Sequence, residues 1–148
     1  MDQEMSSITG FRRRAAAVLG ATALVVAAGV ATAGPAAAGE DCDPGYHCAF
    51  WVEIGSAKHS YFNSDPNFTD DWFDGCCSPV NVNDRVGAAS NSSTGGYESH
   101  YYKDIDYGGG LLFCVNPGSQ VRAGQLQSWQ TSQASSLKLR PTTTVPCF

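Results

Sequence analysis

Apolar and aromatic positions fall in short runs separated by glycine, proline, asparagine and serine. Residues 48–53 predict a first strand, Ile54-Gly55-Ser56 breaks it, and residues 58–62 run back. Residues 68–73 carry Phe68, Trp72 and Phe73 among polar neighbours, a pattern that fits either one helical turn or a looped strand. A short strand over residues 80–82 follows, and residues 92–96 have the composition of a linker. Residues 97–103 and 111–115 predict two strands folded over Gly108, Gly109 and Gly110, where glycine supplies positive φ without steric cost. The second strand stops at Asn116-Pro117-Gly118, a turn signal. Residues 121–124 read as weak strand or coil, residues 126–129 as a half turn, and residues 135–139 as a final strand. No segment sustains 3.6-residue periodicity for three turns, so the pattern predicts an all-β sandwich or Greek key.

Residues 1–38 differ in composition. Arg12, Arg13 and Arg14 precede an Ala/Val/Leu-rich stretch, and small-residue cleavage sites follow at residues 31–33 and 36–38. This is the layout of a secretory signal peptide, and its apolar core is shorter than the ~20 residues of a membrane span. The expected mature chain is one domain, residues 39–148. It holds six basic and twelve acidic residues, a net −6, which argues against a nucleic-acid partner and offers no basic patch for anionic lipid. A soluble, extracellular monomer is expected, with no membrane contact after signal cleavage.

All six cysteines, Cys42, Cys48, Cys76, Cys77, Cys114 and Cys147, lie in that domain. An even count in a small exported domain reads as a disulfide framework of three bridges. No Cys-x2-Cys pair suggests zinc. Cys42 and Cys48 enclose a short turn and are expected to pair. One of Cys76 and Cys77 is then expected to bridge Cys114 and the other Cys147, in either order.

The two halves match when superposed. Phe50-Trp51 falls on Tyr101-Tyr102, Gly55 on the glycine corner, and residues 83–89 on residues 131–137. Units of residues 42–91 and 97–140 are expected, followed by a tail at residues 141–148. The second unit carries an aromatic, four residues, an aromatic, one residue and a glycine, at Tyr102, Tyr107 and Gly109. In this it resembles the βγ-crystallin fold. The first unit departs, with Ser56 and Lys58 where the second aromatic and the glycine would fall. More closely, the Cys42-to-Cys48 start, the paired cysteines, Asn83-Asp84-Arg85 and the Tyr-x4-Tyr-Gly-Gly corner resemble the secreted actinobacterial peptidase-inhibitor family typified by the streptomycete metalloproteinase inhibitor.

The resemblance implies a disulfide-linked, two-unit Greek-key β-sandwich and a non-catalytic inhibitor whose partner is an extracellular protease. Such an inhibitor presents a rigid loop to an enzyme cleft, since preorganisation saves ordering cost. The loop between Cys42 and Cys48, residues 64–77 and the tail at residues 141–148 are the candidates, and the inhibitory residue is left open. The resemblance also implies calcium candidates, because the fold often binds that ion through two Asn/Asp residues, two variable residues and two hydroxyls. Residues 83–88 keep Asn83 and Asp84 but lack the hydroxyls, whereas residues 131–136 keep Ser135 and Ser136 but lack the acids. If the copies cross over, Asn83, Asp84 and Ser135 form a partial ligand set. The rival readings are a calcium-linked or structural βγ-crystallin-type protein and a secreted antimicrobial toxin.

An enzyme is not expected. Asp70, Asp71 and Asp74 have the residue types for glycoside hydrolysis, but nothing in the sequence sets a partner group opposite them. Trp51, Trp72 and Tyr101 have the chemistry to stack on sugars, although aromatics at strand positions usually build core. His47, His59 and His100 are isolated in sequence, with no nucleophile motif nearby. Asn67-Phe-Thr69 and Asn91-Ser-Ser93 match the N-glycosylation pattern.

Overall fold

The computed structural model describes residues 39–76 and 78–148. The signal-peptide reading of residues 1–38, and Cys77, lie outside the described residues. Among the described residues seven strands form, β1 (His47–Phe50), β2 (Lys58–Tyr61), β3 (Ala88–Asn91), β4 (Tyr97–Tyr102), β5 (Leu111–Val115), β6 (Gln120–Val121) and β7 (Ser136–Pro141). Helical structure among the described residues is limited to three 3₁₀ turns, Phe68–Asp70, Ile105–Tyr107 and Ala123–Gln125. The described residues are all-β, as expected.

Every strand pairing is antiparallel. One sheet has the order β2-β1-β3-β6 and the other β5-β4-β7. In each, the middle strand of a three-strand set lies between its hairpin partner and the strand that closes its half of the chain. β6 leaves the second half to pair with β3 of the first. On the corresponding edge, Asp65 of the first half bridges Leu137 of β7, with backbone hydrogen bonds of 2.8 Å in both directions. The halves therefore exchange edge segments.

The sheets share one core. Ala49, Tyr61, Ala89 and Val121 from the first meet Tyr101, Phe113, Val115 and Leu137 from the second. Tyr101 stacks on Phe113 with centroids 4.6 Å apart, and Tyr61 on Phe68 at 5.0 Å. The pleat sends Cys48 and Phe50 to the other face, where Cys42 and Ala88 complete a second cluster. Both faces of β1 are thus buried.

Several elements differ from the sequence reading. β1 ends at Phe50 rather than residue 53, although Trp51 N–H still donates to the Ala57 carbonyl and Gly87 N–H to the Phe50 carbonyl. A Cβ on Gly87 would stand 2.6 Å from the carbonyl oxygens of Trp51 and Val52, so only glycine lets the strands approach here. The strand expected at residues 80–82 is replaced by one bridge between Trp72 and Asn81. β3, an Ala-Ala-Ser-Asn strand, was not anticipated: these residues have little β propensity, and tertiary pairing with β1 and β6 holds them instead. At the glycine corner Gly109 and Gly110 take positive φ but Gly108 does not, and Asp106 and Tyr107 take it as well.

Candidate functional site

Two disulfides fix the ends of the domain. Cys42 bonds Cys48, as the short spacing predicts. Cys114 bonds Cys147, which overturns the expectation that each would pair with one of the adjacent cysteines. The reason is geometric. Phe148 N–H bonds the Cys114 carbonyl and Asn116 N–H bonds the Phe148 carbonyl, so the tail lies beside β5 and brings Cys147 to it. Cys76 forms no disulfide among the described residues. These bridges fit an oxidising compartment, and no helix among the described residues is long and apolar enough to cross a membrane.

The loop between Cys42 and Cys48 is held from below by Ser92. Gly45 N–H donates to the Ser92 carbonyl at 2.7 Å, and Ser92 N–H donates to the Tyr46 carbonyl at 2.9 Å. The Ser92 hydroxyl is shared between the carbonyls of Cys42, at 2.8 Å, and Gly39, at 3.1 Å. Gly45 has φ of 92°, a conformation that favours glycine. The loop then presents Tyr46, whose ring meets Phe62 edge-on at 5.6 Å. Residues 92 and 93, read as linker, are buried and bind this loop and the start of β4. What marks Ser92 is its supply of a hydroxyl to two inward-facing carbonyls, which composition does not reveal.

The segments that close the two halves do cross over. Asp84 N–H donates to the Ala134 carbonyl, and Ser132 N–H donates to the Val86 carbonyl, at 2.9 and 3.0 Å. Asp84 and Ser132 both have φ of 55°. The Ser135 hydroxyl donates to Asp84 Oδ1 at 3.0 Å, and Asn83 Nδ2 donates to Asp84 Oδ2 at 3.0 Å. Asn83 Oδ1 is buried without a partner. Asn83, Asp84 and Ser135 thus come together. The related position carries Gly87 where the other copy has Ser135, so that residue offers Ser132 no side-chain oxygen. A hard cation wants six to eight oxygens, and one carboxylate with a few neutral donors meets that only in part.

The other candidates separate. Asp71 is partly buried; burial raises its carboxyl above the ordinary range, against the hydrogen bond it accepts from Tyr61 at 2.9 Å. The carboxylate of Asp71 also raises the Tyr61 hydroxyl, after burial itself. His59 stands 3.8 Å away. Asp70 is exposed, and Asp74 pairs through its backbone with Lys58. The charges of Asp65 and Asp70 push the Asp71 carboxyl up further, after burial. Tyr101 is core, while Trp51 and Trp72 are exposed on the surface. Of the glycosylation patterns, Asn91 is buried and its amide donates to the carbonyls of Tyr97 and Val115.

His47 and His100, isolated in sequence, find their partners on β4. His47 Nδ1 lies 2.6 Å from Ser99 Oγ, and burial lowers its pKa to about 4. His100 Nε2 lies 2.7 Å from Glu98 Oε2, both side chains being buried. Glu98 also accepts Thr143 N–H at 2.9 Å and the Thr143 hydroxyl at 2.8 Å, which clasps the tail. Burial alone would raise the Glu98 carboxyl; the bonds from His100 and Thr143 outweigh it and hold it below the ordinary range. His100 lies near Cys114 and Cys147, but their sulfurs are joined to each other and offer no thiolate to a metal.

No family model, curated protein or solved structure matches the chain.

Proposed function

We propose that the protein is a secreted, non-catalytic inhibitor of an extracellular peptidase, built from two Greek-key units of the βγ-crystallin type. The fold reading draws support from the exchanged edge segments and the reciprocal bonds of Asp84 and Ser132. The inhibitor reading rests on one observation: the loop between Cys42 and Cys48 is rigid yet exposed. A disulfide closes it, Ser92 ties its carbonyls, and Tyr46 projects from it against Phe62. A protease cleft binds a preorganised segment at little ordering cost, and a braced aromatic is a suitable anchor.

The other two candidate loops are less available. Residues 64–77 send Phe68 and Phe73 into the core and tie Asp65 to β7. The tail is committed to β5 and Glu98. The test is a titration of the oxidised protein against secreted metallo- and serine proteases. Stoichiometric inhibition that weakens by about tenfold or more in Tyr46→Ala supports the assignment. Inhibition unchanged in Tyr46→Ala would move the site off this loop.

A further inference from the structure

A pocket of about 440 Å³ opens beside this loop, between Gly45, the segment of Phe62, Asn63 and Ser64, and the start of β4 at Tyr97. Two features set it apart. No carboxylate, ammonium or guanidinium lines it. His47 lines it although only 2% exposed, and with Nδ1 committed to Ser99 Oγ, its Nε2 has no hydrogen-bond partner among the described residues.

Around this solvent-touched nitrogen stand groups with spare capacity. The Asn63 amide makes no hydrogen bond among the described residues, and Ser64 Oγ accepts Leu139 N–H at 2.9 Å, which leaves its own proton to donate. Phe62 is 64% exposed and Tyr97 46%, so both rings offer uncovered faces at the rim. Small-molecule sites combine such apolar surface with a few placed polar groups. A charged ligand would find no counter-charge here. A wholly apolar ligand would strip water from His47 Nε2 and Asn63 without replacing its hydrogen bonds, which is unfavourable. A ligand with one apolar face and a rim of hydroxyls, each able to donate and accept, meets both demands.

We propose that this pocket binds a neutral pyranose ring, whose C–H face packs on Phe62 and whose hydroxyls bond Asn63, Ser64 and His47 Nε2. Burial keeps His47 neutral above about pH 5, so it can serve a hydroxyl in either tautomer. This inference does not rest on the inhibitor reading, since the ligand is a saccharide and the readout is direct binding.

The experiment is a titration of the ¹⁵N-labelled protein with cellotetraose, chitotetraose and maltotetraose, each to about 10 mM, a range suited to a shallow, weak site. At least one sugar is expected to give saturable amide shifts centred on residues 45–47, 62–64 and 93–97. Phe62→Ala, at an exposed position, is expected to weaken that binding about tenfold or more, and Asn63→Ala severalfold. Absence of saturable shifts with all three sugars would overturn the proposal. So would shifts centred on Trp51 or Trp72, or binding that Phe62→Ala leaves unchanged.

Discussion

The Ser135 hydroxyl donates a 3.0 Å hydrogen bond to the carboxylate of Asp84, 51 residues earlier in the chain. It joins the segment that closes the first half to the segment that closes the second. Asp84 holds a φ of 55°, which costs most residues about 1–2 kcal/mol but asparagine and aspartate less. Asp84→Ala loses both the bond and this tolerance, and is expected to destabilise by about 2–3 kcal/mol. Asp84→Asn keeps both and is expected to cost under about 1 kcal/mol. Urea unfolding of the two variants measures the difference, and equal losses would show that neither effect operates.

The same neighbourhood gives calcium a concrete test. With one carboxylate, Ser135 and the unpartnered oxygen of Asn83, a single weak site is expected, in the range of about 0.1–1 mM or weaker. Calorimetry should find at most one ion per chain, with a small rise in Tm at millimolar calcium that Asp84→Ala removes. Two ions, or micromolar affinity, would contradict this reading.

Glu98 fastens the tail through Thr143. Glu98→Ala leaves His100 and Thr143 without their buried acceptor and is expected to cost about 2–4 kcal/mol. Cys147 remains bonded to Cys114, so the tail should loosen at residues 141–146 while staying attached. Limited proteolysis followed by mass spectrometry should find new cleavage there. An unchanged digestion pattern would mean that the disulfide and β5 contacts suffice.

His47 sets a pH window. Its pKa falls from the ordinary 6.5 to about 4 on folding, because burial disfavours the charged ring. The unfolded chain therefore binds a proton that the folded one refuses, and stability falls as pH drops from 6.5 towards 4. Glu98 acts lower: its folded pKa is depressed, so its contribution is present above its ordinary 4.5 and fades as pH falls through the folded value. His47→Asn, which can retain a bond to Ser99 without titrating, should flatten the Tm profile between pH 6.5 and 4. Parallel profiles for the two proteins would show that His47 is not responsible.

Much of the architecture was legible from short apolar runs and turn residues. The β4–β5 hairpin, the β1–β2 hairpin, the Cys42–Cys48 bridge and the correspondence of residues 83–89 with residues 131–137 all follow from local spacing and repetition. Features that depend on distant partners were not. β3 is a strand because β1 and β6 flank it, and Cys147 meets Cys114 because the tail runs beside β5. Ser92, Glu98 and His47 likewise took their roles from groups more than forty residues away. Chain spacing holds no signal for such contacts. Asp84 and Ser135 were legible only because the repeat suggested that the two copies cross.

Inhibition itself is measured by titrating the oxidised protein into active-site-counted secreted metallo- and serine proteases and following residual activity. An inhibitor gives linear loss of activity to a one-to-one endpoint with at least one enzyme, with the loop between Cys42 and Cys48 uncut, and Tyr46→Ala inhibits more weakly. Full activity of every enzyme in the presence of excess folded protein would contradict it.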